Sequence, residues 1–164
     1  MLIAYGGIIT GLILVALIGG TYISINTLSF ICLASFFVGI MQIEGGTKYS
    51  LMCYFASSLL SFILPVKKEV AIAFSLFFGY YPIIKFYIEK IDKLYIEIVI
   101  KGILFSLVSF LIVNMGNSIF TFKWSEKISY IVIVLIILLF LYDFVLNFLF
   151  GFYVERIRNK IKRK

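Results

Sequence analysis

The chain has 164 residues, 63% of them apolar and only 14% charged, with fifteen Lys and Arg against eight Asp and Glu and a formal net charge of +7. A soluble domain is roughly 45–50% apolar and about 25% charged, so a water-soluble fold of this size could not bury the apolar excess. Histidine is absent, which removes the commonest metal ligand and the commonest catalytic base. The composition predicts an all-α integral membrane protein.

No charged residue occurs before Glu44. As one helix those residues would extend about 65 Å, roughly twice the hydrocarbon core of a bilayer, so the run must fold back. The first span is expected over about Leu2 to Ile23, broken by Gly19-Gly20 and by Ser24-Ile25-Asn26-Thr27, whose side chains compete for backbone hydrogen bonds. No cleavable signal peptide is read here, because a basic n-region is missing before a long uninterrupted apolar run. The second span covers about Thr27 to Ile43 and stops at Glu44-Gly45-Gly46-Thr47-Lys48. The third, about Tyr49 to Leu64, ends at Pro65 and Lys67-Lys68-Glu69. The fourth starts near Val70 and carries Phe77-Phe78-Gly79-Tyr80-Tyr81-Pro82, where proline predicts a kink. That segment reads either as a hinge or as a kinked packing helix.

The fifth span is expected over about Ile96 to Val113, followed by a polar loop from Asn114 to Lys127 that holds the single tryptophan, Trp124. The sixth, about Ile128 to Phe152, contains Asp143 and Asn147, and Glu155 to Lys164 is a basic tail. The expected fold is therefore a six-transmembrane-helix bundle over residues 1–154, with residues 155–164 as a cytoplasmic tail. Six spans put both termini on one side. That side collects eleven Lys and Arg (Lys48, Lys85, Lys90, Lys93, Lys101 and six in the tail), against four (Lys67, Lys68, Lys123, Lys127) on the other. The positive-inside rule makes the first side cytoplasmic and the membrane the cell membrane. The tail reads as an anchor beside anionic lipid rather than a nucleic-acid arm, since nothing aromatic follows Tyr153 to stack on bases.

Asp143 stands in a long apolar run, where a carboxylate costs about 2.5–3.5 kcal/mol on insertion scales. Asn147, four residues on, is expected on the same face. The pair is either a ligand, proton or partner contact, or a packing device bonded to Lys101, Lys85 or a Tyr hydroxyl. Asn114, Asn117 and Trp124 of the outer loop offer donors, acceptors and a flat aromatic surface for a small-molecule ligand, although Trp124 also reads as an interface anchor. Gly7 and Gly11 share a face with Ala4 in a GxxxG step, a pattern that lets helices approach closely in lipid; the partner helix is either in this chain or in another protein. Cys32 and Cys53 lie in apolar runs and read as small packers. No nucleophile–base pair, phosphate loop or metal motif is present, so the chain is read as a non-enzyme without cofactor or metal.

Six short spans, glycine steps in the first helix, a long outer loop before the last and a basic tail together resemble the substrate-binding S components of energy-coupling factor transporters. The Phe77 to Lys85 stretch, FFGYYPIIK, looks like small bacterial membrane proteins of that general type. The resemblance implies a binder of a vitamin-type micronutrient that docks on a transmembrane coupling subunit driven by ATPases. It also implies that a pair of small residues in the first helix meets that subunit; Gly7 and Gly11 match the spacing, as glycines in place of the usual alanines. Asn114, Asn117 and Trp124 fall in the region of the family's ligand contacts. The competing expectation is a structural or assembly subunit that binds other membrane proteins and no solute. The related rod-shape scaffold subunits carry an intramembrane Pro-Asp pair in the second helix, which this chain lacks.

Overall fold

The computed structural model describes residues 2–23, 26–91, 94–119 and 128–158. It is 92% helical, with no strand among the described residues. Helix α1 spans Leu2–Tyr22, α2 Thr27–Gly45 and α3 Thr47–Ile63; α4 (Lys68–Ala73) runs into a π-helical turn, Phe74–Phe78, before α5 (Tyr81–Ile88). Helix α6 spans Leu94–Ile119, and α7 (Ile128–Phe152) ends in a second π-helical turn, Tyr153–Arg158. Four stretches among the described residues are long and apolar enough to cross a membrane: Leu2–Tyr22, Thr27–Gly45, Lys68–Ile88 and Val132–Arg156. These are compatible with a multi-pass membrane protein. Helix α3, at 17 residues, would reach only about 25 Å at 1.5 Å per residue.

The expected breaks are where the helices end. Gly46, with φ of 77°, joins α2 to α3 in a backbone conformation that a side chain disfavours, and its N–H closes on the Gln42 carbonyl at 3.2 Å. One expected boundary moves. Asn114 to Ile119, read from the sequence as loop, continues α6, because Asn and Gly lower helix propensity by less than about 1 kcal/mol each and no proline follows to stop the run.

The chain divides into two compact units, residues 1–87 with 148–164, and residues 88–147. In the first, α1 buries Gly6, Ile9, Ile13, Ala16, Leu17 and Gly20, the three-and-four spacing of one helical face. It meets a face of α3 made almost wholly of small residues: Ser50, Cys53, Ser57, Ser58 and Ser61. Small side chains let two backbones approach, the packing that substitutes for the hydrophobic effect between helices in lipid. The approach is visible where Cys53 Sγ lies 3.5 Å from the Gly6 carbonyl. Two of the serine hydroxyls on this seam turn back on their own helix, Ser57 to the Cys53 carbonyl and Ser61 to the Ser58 carbonyl, both at 2.7 Å.

Element ends pair up within this unit. At one end, the Lys67 N–H donates to Thr21 Oγ1 at 3.1 Å, tying the turn before α4 to the end of α1. At the other, Gln42 Nε2 donates to Thr47 Oγ1 at 3.0 Å, Ser50 Oγ donates to Gln42 Oε1, and Thr47 Oγ1 lies 2.6 Å from the Tyr87 hydroxyl. That polar knot joins α2, α3 and α5. The last turns of α7 complete the unit: Phe150 stacks on Phe36 with centroids 5.7 Å apart, and Tyr153 donates to Glu44 at 3.4 Å. Here α2 has Gly39, and a methyl at that position would overlap the Phe150 ring. Gly39→Val is therefore expected to destabilise the fold by about 1–3 kcal/mol through overpacking. Thermal unfolding in detergent checks this, and Phe150→Leu should recover part of the loss in the double variant.

In the second unit, α6 and α7 run antiparallel. The register is given by Lys101 against Asp143 and by Phe105 edge-on to Phe140, centroids 5.0 Å apart.

Candidate functional site

Two constellations place polar chemistry inside helices that are otherwise apolar. The first is an ion cluster in the second unit. Lys101 Nζ lies 2.8 Å from Asp143 Oδ2, 2.7 Å from Glu97 Oε1 and 3.4 Å from Glu89 Oε1. Lys101 is 4% exposed and Asp143 7%, whereas the side chains of Glu97 and Glu89 are 26% and 34% exposed. The cluster thus grades from a partly open acidic rim to a buried pair. Each member has a local reason to be there. Glu97 precedes Lys101 by one turn on α6, the favourable order for a helical ion pair. Asp143 comes from α7, and Glu89 from the turn after α5. A buried ion pair of this kind holds two helices in register, because separating them would take the Lys101 ammonium away from the buried Asp143 carboxylate.

Of the sequence-expected site residues, Asp143 therefore pairs with Lys101. Lys85, the other expected cation, is fully buried on α5 of the first unit. Asn147 lies one turn beyond Asp143 on the same side of α7, yet it is exposed where Asp143 is buried. Asn114 and Asn117 lie on the backbone of α6, with side chains outside the described residues, as is Trp124 altogether. Gly7 and Gly11 are exposed, and a Cβ built on either meets nothing within 4 Å. The inward-facing glycines of α1 are Gly6 and Gly20 instead.

The second constellation is the broken helix between Lys68 and Ile88. The Gly79 N–H reaches back five residues to the Phe74 carbonyl at 2.7 Å, which makes the π turn. Pro82 then sits in the first turn of α5, where its missing N–H is tolerated. The carbonyl four residues before it, on Phe78, loses its helical donor, and Ser35 Oγ of α2 donates to that oxygen. The Ser75 carbonyl is likewise taken by the Tyr54 hydroxyl of α3 at 2.7 Å. Interrupted helices are tolerated in an apolar surround when neighbours re-satisfy the released backbone groups in this way. Gly79 leaves room for the arrangement: a Cβ there would lie 2.6 Å from the Tyr54 ring. Phe74, Phe77 and Tyr81 are fully buried around the break, and Phe77 stacks on Tyr81 at 4.9 Å.

Sequence reasoning placed the kink but missed Ser35 and Tyr54. The signal available was Pro82 itself, which implies an orphaned carbonyl somewhere behind it; which hydroxyl serves that carbonyl is a tertiary matter. Glu97 was also missed, although its four-residue spacing from Lys101 was legible.

Comparison with protein-family models, with curated proteins and with solved structures finds no match for this chain.

Proposed function

We propose that the chain is a non-catalytic membrane subunit that crosses the cell membrane six times with both termini in the cytoplasm, and that it binds a small molecule for an uptake system. In this reading α3 and α6, together with the four apolar stretches named above, complete the crossings. The solute is a micronutrient of vitamin type, received from the outer side. The partner is a transmembrane coupling subunit with its ATPases, as in the S components that the sequence layout resembles. The observation that carries the reading is the open face of α1. Its opposite face is committed to the chain's own core, while Ala4, Gly7 and Gly11 look outward with nothing against the two glycines, which suits the close approach of a helix from another protein. The interrupted helix supports the transport part, because broken spans recur at the binding sites of membrane transporters.

Gly7→Leu with Gly11→Leu should reduce recovery of partner proteins by affinity purification at least tenfold, a loss of about 1.4 kcal/mol or more in association, while the chain still inserts and folds. Unchanged recovery rejects the docking face. Mass spectrometry of small molecules that co-purify with the wild-type chain tests the solute; a reproducible bound compound supports the binder.

One observation favours a second reading, that of an assembly subunit without solute. Asp143, the best sequence candidate for a ligand contact, is already held by Lys101, and Asn147 does not share its environment. Stable partner capture with no co-purified compound selects that reading.

A further inference from the structure

Among the described residues three buried hydroxyls have no hydrogen-bond partner, Ser58 Oγ, Ser75 Oγ and Ser109 Oγ, and two of them flank the latch that holds the broken helix. Ser75 is the residue whose carbonyl accepts from Tyr54. Ser58 stands one turn beyond Tyr54 on α3, at the four-residue spacing that shares a helical face, and is buried. A buried hydroxyl without a partner costs about 1–3 kcal/mol, so two at one point require an explanation. Nothing in local structure forces them to stay unused. Ser75 can turn back to a carbonyl of its own helix, as Ser57 and Ser61 do on α3. Ser58 can donate to the Tyr54 oxygen once that oxygen moves.

We infer that the Phe74–Pro82 break is a two-position hinge, latched by Tyr54 and Ser35 in the position described here, and that Ser58 and Ser75 are the hydroxyls that serve the second position. In the latched position Tyr54 donates to the Ser75 carbonyl and Ser35 to the Phe78 carbonyl. In the second position the π turn relaxes toward regular i to i−4 bonding. The Ser75 carbonyl then gains a backbone donor, Tyr54 is released to Ser58, and Ser75 Oγ bonds back along its helix. Each donor that leaves its partner in the first position has another in the second, which is what makes an exchange between the two cheap. The π turn supplies the extra residue that migrates, and Pro82 prevents the two halves from fusing into one rigid helix. Lys68–Ala73 and Tyr81–Ile88 then change their mutual angle as α4 and α5 move against α3. This goes beyond the transport reading and does not depend on it, since a hinge would serve a binder or an assembly subunit equally.

Hydrogen–deuterium exchange of the full chain in phospholipid nanodiscs tests the hinge through the amides of residues 79–81, 83 and 84. Tyr54→Phe removes the latch and should speed their exchange by about threefold to twentyfold, the range of a single interhelical hydrogen bond in membranes. The Ser58→Ala, Ser75→Ala double variant removes only the hydroxyls unused in the latched position. It should leave the fold intact and slow the same amides by a similar factor. If the double variant exchanges at the wild-type rate, the two serines serve no second position and the inference fails. Wild-type exchange in folded Tyr54→Phe overturns it equally. Should Tyr54→Phe fail to fold, the serine double variant decides alone.

Discussion

Replacing Lys101 by Met is expected to be the most damaging single substitution in the chain, costing about 3–5 kcal/mol, the range for removing one partner from a buried ion pair. The ammonium is the common partner of Asp143, Glu97 and Glu89, and without it three neighbouring carboxylates lose the cation they share. Asp143→Asn is expected to be far milder, about 1–2 kcal/mol, because Lys101 keeps Glu97 at 2.7 Å and the amide still accepts. This asymmetry distinguishes a cluster organised around one cation from a simple pair. The double variant Lys101→Met, Asp143→Leu should recover most of the loss, since apolar groups of similar volume often replace a buried pair at little cost. Glu97 and Glu89 are open enough at the rim to reach water. Denaturant unfolding in detergent micelles gives all three values; equal losses for the two single variants would refute the cluster. The double variant also separates the two roles of Asp143. Wild-type uptake or partner assembly in a folded Lys101→Met, Asp143→Leu protein assigns the carboxylate to packing, and loss of either with the fold intact assigns it to ligand, proton or partner.

The second large effect is expected at the break in the fourth apolar stretch. Ser35→Ala should destabilise by about 1–3 kcal/mol, because it removes the hydroxyl that donates to the Phe78 carbonyl where Pro82 supplies no N–H. The cost should depend on Pro82. In a Pro82→Ala background residue 82 again carries an N–H that can serve Phe78, and Ser35→Ala should then cost less than about 0.5 kcal/mol. The coupling of about 1 kcal/mol or more between residues that need not touch is the expected result of the double-mutant cycle. An additive cycle would mean that Ser35 acts through packing alone.

Much of the chain's layout was legible before any coordinates. The charge-free run before Glu44 required a reversal near Asn26, Gly45-Gly46 marked the next, and Pro65 with the Lys67-Lys68-Glu69 triplet the third; helices α1 to α4 begin or end within a few residues of those signals. Pro82 announced the interruption that became the π turn and the start of α5. The end of α6 was misplaced for a physical reason: Asn114, Gly116 and Asn117 weaken a helix without stopping it, and a polar stretch was read as a loop because its hydrogen bonds could not be seen. The candidate site was legible only in part. Asp143 was visible as a costly charge in an apolar run and Lys101 as one of its possible partners, yet the choice of Lys101 over Lys85 depended on the antiparallel register of α6 and α7.

What the amino-acid order determined by itself is the segmentation: apolar content and the positions of charge, glycine and proline dictate long apolar helices, compatible with a multi-pass membrane protein, and where most of them stop. What only the tertiary structure decided is the facing of those helices. Helix α1 carries no charged residue and α7 a single one, Asp143, so no broad amphipathic stripe says which side turns inward. In lipid the hydrophobic effect does not choose either, and the choice passes to close fit and to hydrogen bonds. That is why Gly6 rather than Gly7 meets α3, and why the serine face of α3, inconspicuous in the sequence, is the seam. It is also why a proline's orphaned carbonyl found its donor on Ser35, more than forty residues away in the chain.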